Sequence, residues 1–104
     1  MNRPYYSEYV RHAMRFYSRS VINSRQEKPF FKSDADKKNW QSCYNALKDF
    51  SDRDKDILVT VYAGFDTLPD EVYQTAKKFN IDQNIIWDMM KVFERKAAKK
   101  RGLM

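Results

Sequence analysis

The chain reads as an all-α protein, a compact bundle of four to five helices. Three features point there. Apolar residues recur at intervals of three and four through successive stretches, and serine–aspartate pairs stand where helices would begin. Only two glycines and three prolines punctuate 104 residues, which suits long helices with short breaks. Apolar residues make up 42% of the chain and aromatics 15%, enough for one modest core, so the low mean hydropathy reflects its many charges. A length of 104 residues predicts a single domain. Residues 1–33 form its basic N-terminal helix and connecting loop, residues 34–104 its helical core, and residues 70–101 a helix-turn-helix within that core.

The first helix is expected over residues 5 to 22, where Tyr6, Val10, Ala13, Tyr17 and Val21 share one face with Tyr9, Phe16 and Ile22 beside them. Arg11, Arg15 and Arg19 follow at every fourth position and form a second basic face. Such a stripe needs acidic neighbours in the fold, for which Glu8 and the acidic middle of the chain are at hand, or an anionic partner outside it. His12 beside the stripe reads as a surface or boundary residue. Pro29 then breaks the helical period, and Phe30 and Phe31 either pin the connection onto the core or offer a patch to a protein partner.

Ser33 followed by Asp36, and Ser51 followed by Asp54, are capping patterns that start the second and third helices. Trp40, Cys43, Tyr44, Leu47 and Phe50 supply the apolar face of the second, with Cys43 as a small buried residue. Ile57, Leu58, Val61, Tyr62 and Phe65 supply that of the third, which ends near Gly64. Pro69 suits the first turn of a fourth helix, with Asp70 and Glu71 at the positive end of its dipole.

Residues 70–101 meet the requirements of a helix-turn-helix. Ala76 is the small crossing residue, Phe79 and Ile81 flank the turn, and Ile86 and Met89 lie inside the second helix. Asn80 tolerates the left-handed backbone a tight turn needs, and Asp82 is the expected N-cap. Gln83, Asn84, Trp87, Asp88 and Lys91 then face away from the buried side. Gln83 and Asn84 can pair with adenine, and Lys91 with guanine or phosphate. Asp88 suits a phosphate surface poorly, and Trp87 has the alternative of packing under the N-terminal helix. The basic end, Lys91, Arg95, Lys96, Lys99, Lys100 and Arg101, exceeds what helix capping needs and suits phosphate neutralisation. Net charge is +6, divided as +5 over residues 1–33, −3 over 34–82 and +4 over 83–104.

With SDRDKDIL opening one helix, VYQTAKKFNI forming the next and DQNIIW entering the last, residues 52–103 resemble region 4 of the sigma-70 family of transcription factors and its phage-borne relatives. Including the closing AKKRGL, the string is also similar to small proteins of phages and integrative elements of low-GC Gram-positive bacteria. The resemblance implies a DNA-binding transcriptional regulator or sigma-like factor of a mobile element, with double-stranded DNA as partner and RNA polymerase or another host protein touching other faces. A homodimer through the Tyr-rich first helix would place two helix-turn-helices on one duplex.

Other classes find less support. One cysteine and one histidine leave no metal-ligand cluster, no phosphate loop is present, and no nucleophile–base set stands out, so neither enzyme nor cofactor is expected. No run of eighteen apolar residues and no signal sequence are visible, so no membrane partner and a cytoplasmic location are expected. The competing reading is a protein-binding module that engages RNA polymerase or inhibits a host nucleic-acid-handling protein such as a CRISPR nuclease. An inhibitor that mimics nucleic acid would be acidic, and this chain is basic.

Overall fold

Serine side-chain oxygens open two of the helices. In the computed structural model, which describes residues 4–23 and 31–104, Ser33 Oγ accepts the Asp36 amide at 3.2 Å and opens α2, Asp34–Leu47. Ser51 Oγ accepts the Asp54 amide at 3.2 Å and opens α3, Asp52–Ala63. Before them runs α1, Ser7–Asn23, and after them α4, Leu68–Phe79, with proline in its first turn, and α5, Gln83–Arg101. The fold is all-α, a bundle of five helices.

α1 packs along α3 and α2, α5 packs along α2, and α4 closes the end formed by α3 and α5. Val10, Met14, Leu58, Val72, Ile86 and Phe93 are all fully buried where these helices meet. The Phe93 ring lies 5.8 Å from Tyr62 and 6.3 Å from Phe50. Burying side chains of this size contributes about 1.5–3 kcal/mol each. A second aromatic group ties α1 to α2. Trp40 stacks on Tyr44 at 5.5 Å, touches Tyr17 and donates its indole N–H to Ser20 Oγ at 3.1 Å. Phe31 meets Trp40 edge-on at 6.0 Å and so pins its end of the connection; Phe30 lies outside the described residues.

Four expectations about the core need correction. Val21, assigned to the inner face of α1, is 41% exposed in the last turn, and Met14 is fully buried instead. Tyr44 is half in solvent, because its ring covers Trp40 rather than entering the core. Phe65 falls after the end of α3 and is 86% exposed, with the Arg19 guanidinium 3.9 Å above its ring. In α5 the buried methionine is Met90, since the inner stripe runs Ile86, Met90, Phe93, Ala97, leaving Met89 at the boundary. Gly64 keeps an ordinary φ of −66°, and the end of the Glu71 side chain lies over it, in the space a Cβ would take.

Cys43 is buried, as expected, and burial pushes its thiol from 9.0 up to about 12. Tyr17 is pushed from 10.0 up to about 12, chiefly by burial and further by Cys43 and Tyr44. Both groups are neutral in the fold and ionise more easily once unfolded. Their contribution to stability is therefore complete below pH 9.0 and is lost as pH rises towards about 12. Urea midpoints measured across that range should fall steadily, and Cys43→Ala should make the fall shallower. A thiol reagent at about pH 8 should modify Cys43 only as fast as the bundle opens. Immediate modification of the folded chain would contradict the burial.

Candidate nucleic-acid interface

The turn between α4 and α5 is built from three residues. Asn80 adopts φ 56° and ψ 52°, the left-handed conformation that ends α4, and the Ile81 amide returns to the Ala76 carbonyl at 3.0 Å. Asp82 caps α5, its carboxylate accepting the Asn84 amide at 2.7 Å. Ala76 and Ile86, ten residues apart, are both buried where the two helices meet. A helix, a tight left-handed turn and a capped second helix thus follow one another on the residues the sequence indicated.

With its inner stripe against the core, α5 turns Asn84, Asp88, Lys91, Arg95 and Lys99 outward, all exposed. At 100° per residue these five form one continuous strip along the helix. Lys91, Arg95, Lys99 and Lys100 have no ion-pair partner among the described residues. Gln83 and Asn84 sit at the turn, beside a shallow depression shared with Tyr73, Lys77 and Asn80. Ile85 and Val92, 51% and 48% exposed, flank the strip.

Five of the expected cations and one aromatic stand elsewhere or stand engaged. Lys96 reaches across to Asp49 at 3.1 Å. Arg101 donates from Nε to Asn39 Oδ1 at 2.6 Å and from Nη2 to the Tyr9 hydroxyl at 3.4 Å, tying the end of α5 to α1 and α2. Trp87 is half-buried and packed against the core, at a groove it shares with Tyr6. The second basic face does not form. Arg11 pairs with Glu94 at 2.9 Å, and Arg19 donates to the carbonyls of Ala63 and Gly64 at 3.2 and 3.1 Å, serving the end of α3. Arg15 remains, half-buried and without an ion pair among the described residues. Arg11 and Arg19, at the two ends of the stripe, are thus spent on contacts within the fold.

Two features escaped the sequence reading. Lys77 and Lys78 extend the basic surface from the last turn of α4 to the edge of the turn, and the KK pair before the Phe79–Asn80 break was the available signal. Glu94 is 3% exposed, and its Oε2 accepts from both Arg11 and, at 2.6 Å, the Tyr62 hydroxyl. Its place four residues after Met90 on the buried stripe was the signal there. Burial, then the Glu94 charge, push the Tyr62 hydroxyl well above its ordinary value, so it remains a donor. Among the described residues no group of three or more His, Cys, Asp and Glu side chains is placed to hold a metal ion, and no helix is long and apolar enough to cross a membrane.

No protein-family model, curated protein or solved structure matches the chain.

The Arg11–Glu94 pair generates a test of the packing that orients the strip. Arg11→Met leaves a buried carboxylate without its cation and should cost about 3 kcal/mol in urea unfolding, whereas Arg11→Met combined with Glu94→Met should recover most of that loss. If the single change costs nothing, or the double change costs as much as the two singles added, the pair does not hold α1 to α5.

Proposed function

We propose that the chain binds double-stranded DNA through α4 and α5 and acts as a transcriptional regulator or sigma-like factor. The observation that carries the reading is the outward strip of α5, where Lys91, Arg95 and Lys99 stand along one face with no acidic partner among the described residues. A helix fits the major groove of B-DNA, and α5, at 19 residues, is about 28 Å long. In this reading Gln83 and Asn84 approach base edges from the first turn. Lys77, Lys91, Arg95, Lys99 and Lys100 neutralise phosphates, and Asp88 accepts from a cytosine amine. The resemblance to sigma-70 region 4 agrees with this assignment and adds a mobile-element setting and RNA polymerase as a further partner.

Fluorescence anisotropy with a labelled duplex at several salt concentrations tests it. Lys91→Gln, Arg95→Gln and Lys99→Gln together should reduce the slope of log affinity against log salt by about 2 to 3, since each phosphate contact contributes about 0.9. Asn84→Ala should leave that slope in place and cost about 1–3 kcal/mol of discrimination at a base pair of a site selected from random duplexes. No binding at about 50 mM salt would sink the reading.

A second reading is favoured by one observation, the exposure of Ile85 and Val92 beside the strip. Two branched apolar side chains at i and i+7 suit a protein partner, such as RNA polymerase or a nucleic-acid-handling enzyme, better than a phosphate surface. Ile85→Ser with Val92→Ser should abolish such an interaction while leaving the salt slope on DNA unchanged.

A further inference from the structure

Between the start of α1, the start of α4 and the middle of α5 lies a groove of about 610 Å³, within the size range of small-molecule sites. Tyr6, Leu68, Pro69, Trp87 and Met90 make its walls apolar. The buried Glu94 and its half-buried partner Arg11 also line it, with Glu94 already accepting two hydrogen bonds. Lys91 and Arg95 line it from the exposed side, without acidic partners among the described residues. Trp87, Lys91 and Arg95 succeed one another at every fourth residue, so an indole and two cations stand in a row, each about 6 Å from the next.

From this arrangement we infer that the groove binds an aryl carboxylate. The flat apolar body lies against Trp87 and Met90, and the carboxylate meets Lys91 and Arg95 one turn further along α5. Apolar walls alone would accept any greasy molecule. The charge requirement comes from the two cations, because a carboxylate beside a guanidinium forms a charge-assisted hydrogen bond that a neutral amide cannot match. A cationic ligand is disfavoured for the same reason. The ligand site stands independently of the DNA reading. One consequence does rest on that reading, namely that a carboxylate held there neutralises two of the cations assigned to phosphates and so weakens DNA binding.

The probe is naphthalene-2-carboxylate, compared with its neutral isostere 2-naphthamide in the absence of DNA. The chain has two tryptophans, so the indole N–H cross-peaks of Trp87 and Trp40 in a heteronuclear NMR spectrum report on the groove and on a site across the bundle. The Trp87 peak should shift saturably with the acid while the Trp40 peak stays still, and the amide should bind at least about tenfold more weakly. Lys91→Gln with Arg95→Gln, both exposed positions, should remove that preference and leave the weaker amide affinity unchanged. Three outcomes overturn the inference: no saturable shift up to about 5 mM, equal affinities for acid and amide in the unaltered chain, or movement of both indole peaks together.

Discussion

One carboxylate sets the relation among three helices. Glu94 is the charged side chain buried among the described residues, and a single oxygen of it accepts from Arg11 on α1 and Tyr62 on α3 while its backbone belongs to α5. Removing a carboxylate from water costs several kcal/mol, and only a well-placed cation and further hydrogen bonds offset that cost. The pairing therefore adds little net stability over a well-packed apolar substitute. Its effect is selective, because any packing that separates α1 from α5 leaves Glu94 stranded. The surrounding apolar residues would tolerate several neighbouring arrangements of five helices, and this polar contact discriminates among them.

The same contact redistributes the charge of the surface. By sequence the N-terminal third is the more basic end, but α1 uses Arg11 on Glu94 and Arg19 on the end of α3. Lys96 and Arg101 are likewise taken up by Asp49, Asn39 and Tyr9. What remains free of acidic partners along α5, among the described residues, is Lys91, Arg95, Lys99 and Lys100, with Lys77 and Lys78 across the turn. Segment charge counts treat every cation as available, and the fold sorts them into those that bind it together and those that face outward.

How much of this was legible in the sequence follows from the range of each interaction. Helix starts at Ser33 and Ser51, the left-handed Asn80 and the Asp82 cap depend on contacts within three or four residues, so composition and spacing sufficed. Ala76 and Ile86 were legible because a tight turn fixes their separation. Arg11 and Glu94 are 83 positions apart, and nothing in a pattern read along one helix reveals a partner on another. The choice between Met89 and Met90 failed for a different reason. Adjacent residues are 100° apart on a helix, and two methionines at the edge of an apolar stripe are separated only by knowing which helix they face. Trp87 shows the intermediate case. Its size argued against a groove floor, but the groove it lines is completed by residues as distant in sequence as Tyr6 and Leu68.

The rotational setting of α5 links the core to the surface that the functional readings depend on. Were the helix to turn by one residue, Arg95 would move towards the place Glu94 occupies, bringing a guanidinium against Arg11 and leaving the Tyr62 hydroxyl without its acceptor. Like charges at that depth repel strongly, and Tyr62 is buried too completely to find water. Turning the other way would bring Phe93 towards that place and leave Arg11 and Tyr62 facing an apolar ring. The inner face is thus locked by complementary charge rather than by shape alone, and the outer face is locked with it. Asn84, Lys91, Arg95 and Lys99 point outward as a set because Glu94 points inward. The groove beside Trp87 stays next to Lys91 and Arg95 for the same reason, so what binds in one is felt at the other through side chains a single turn apart.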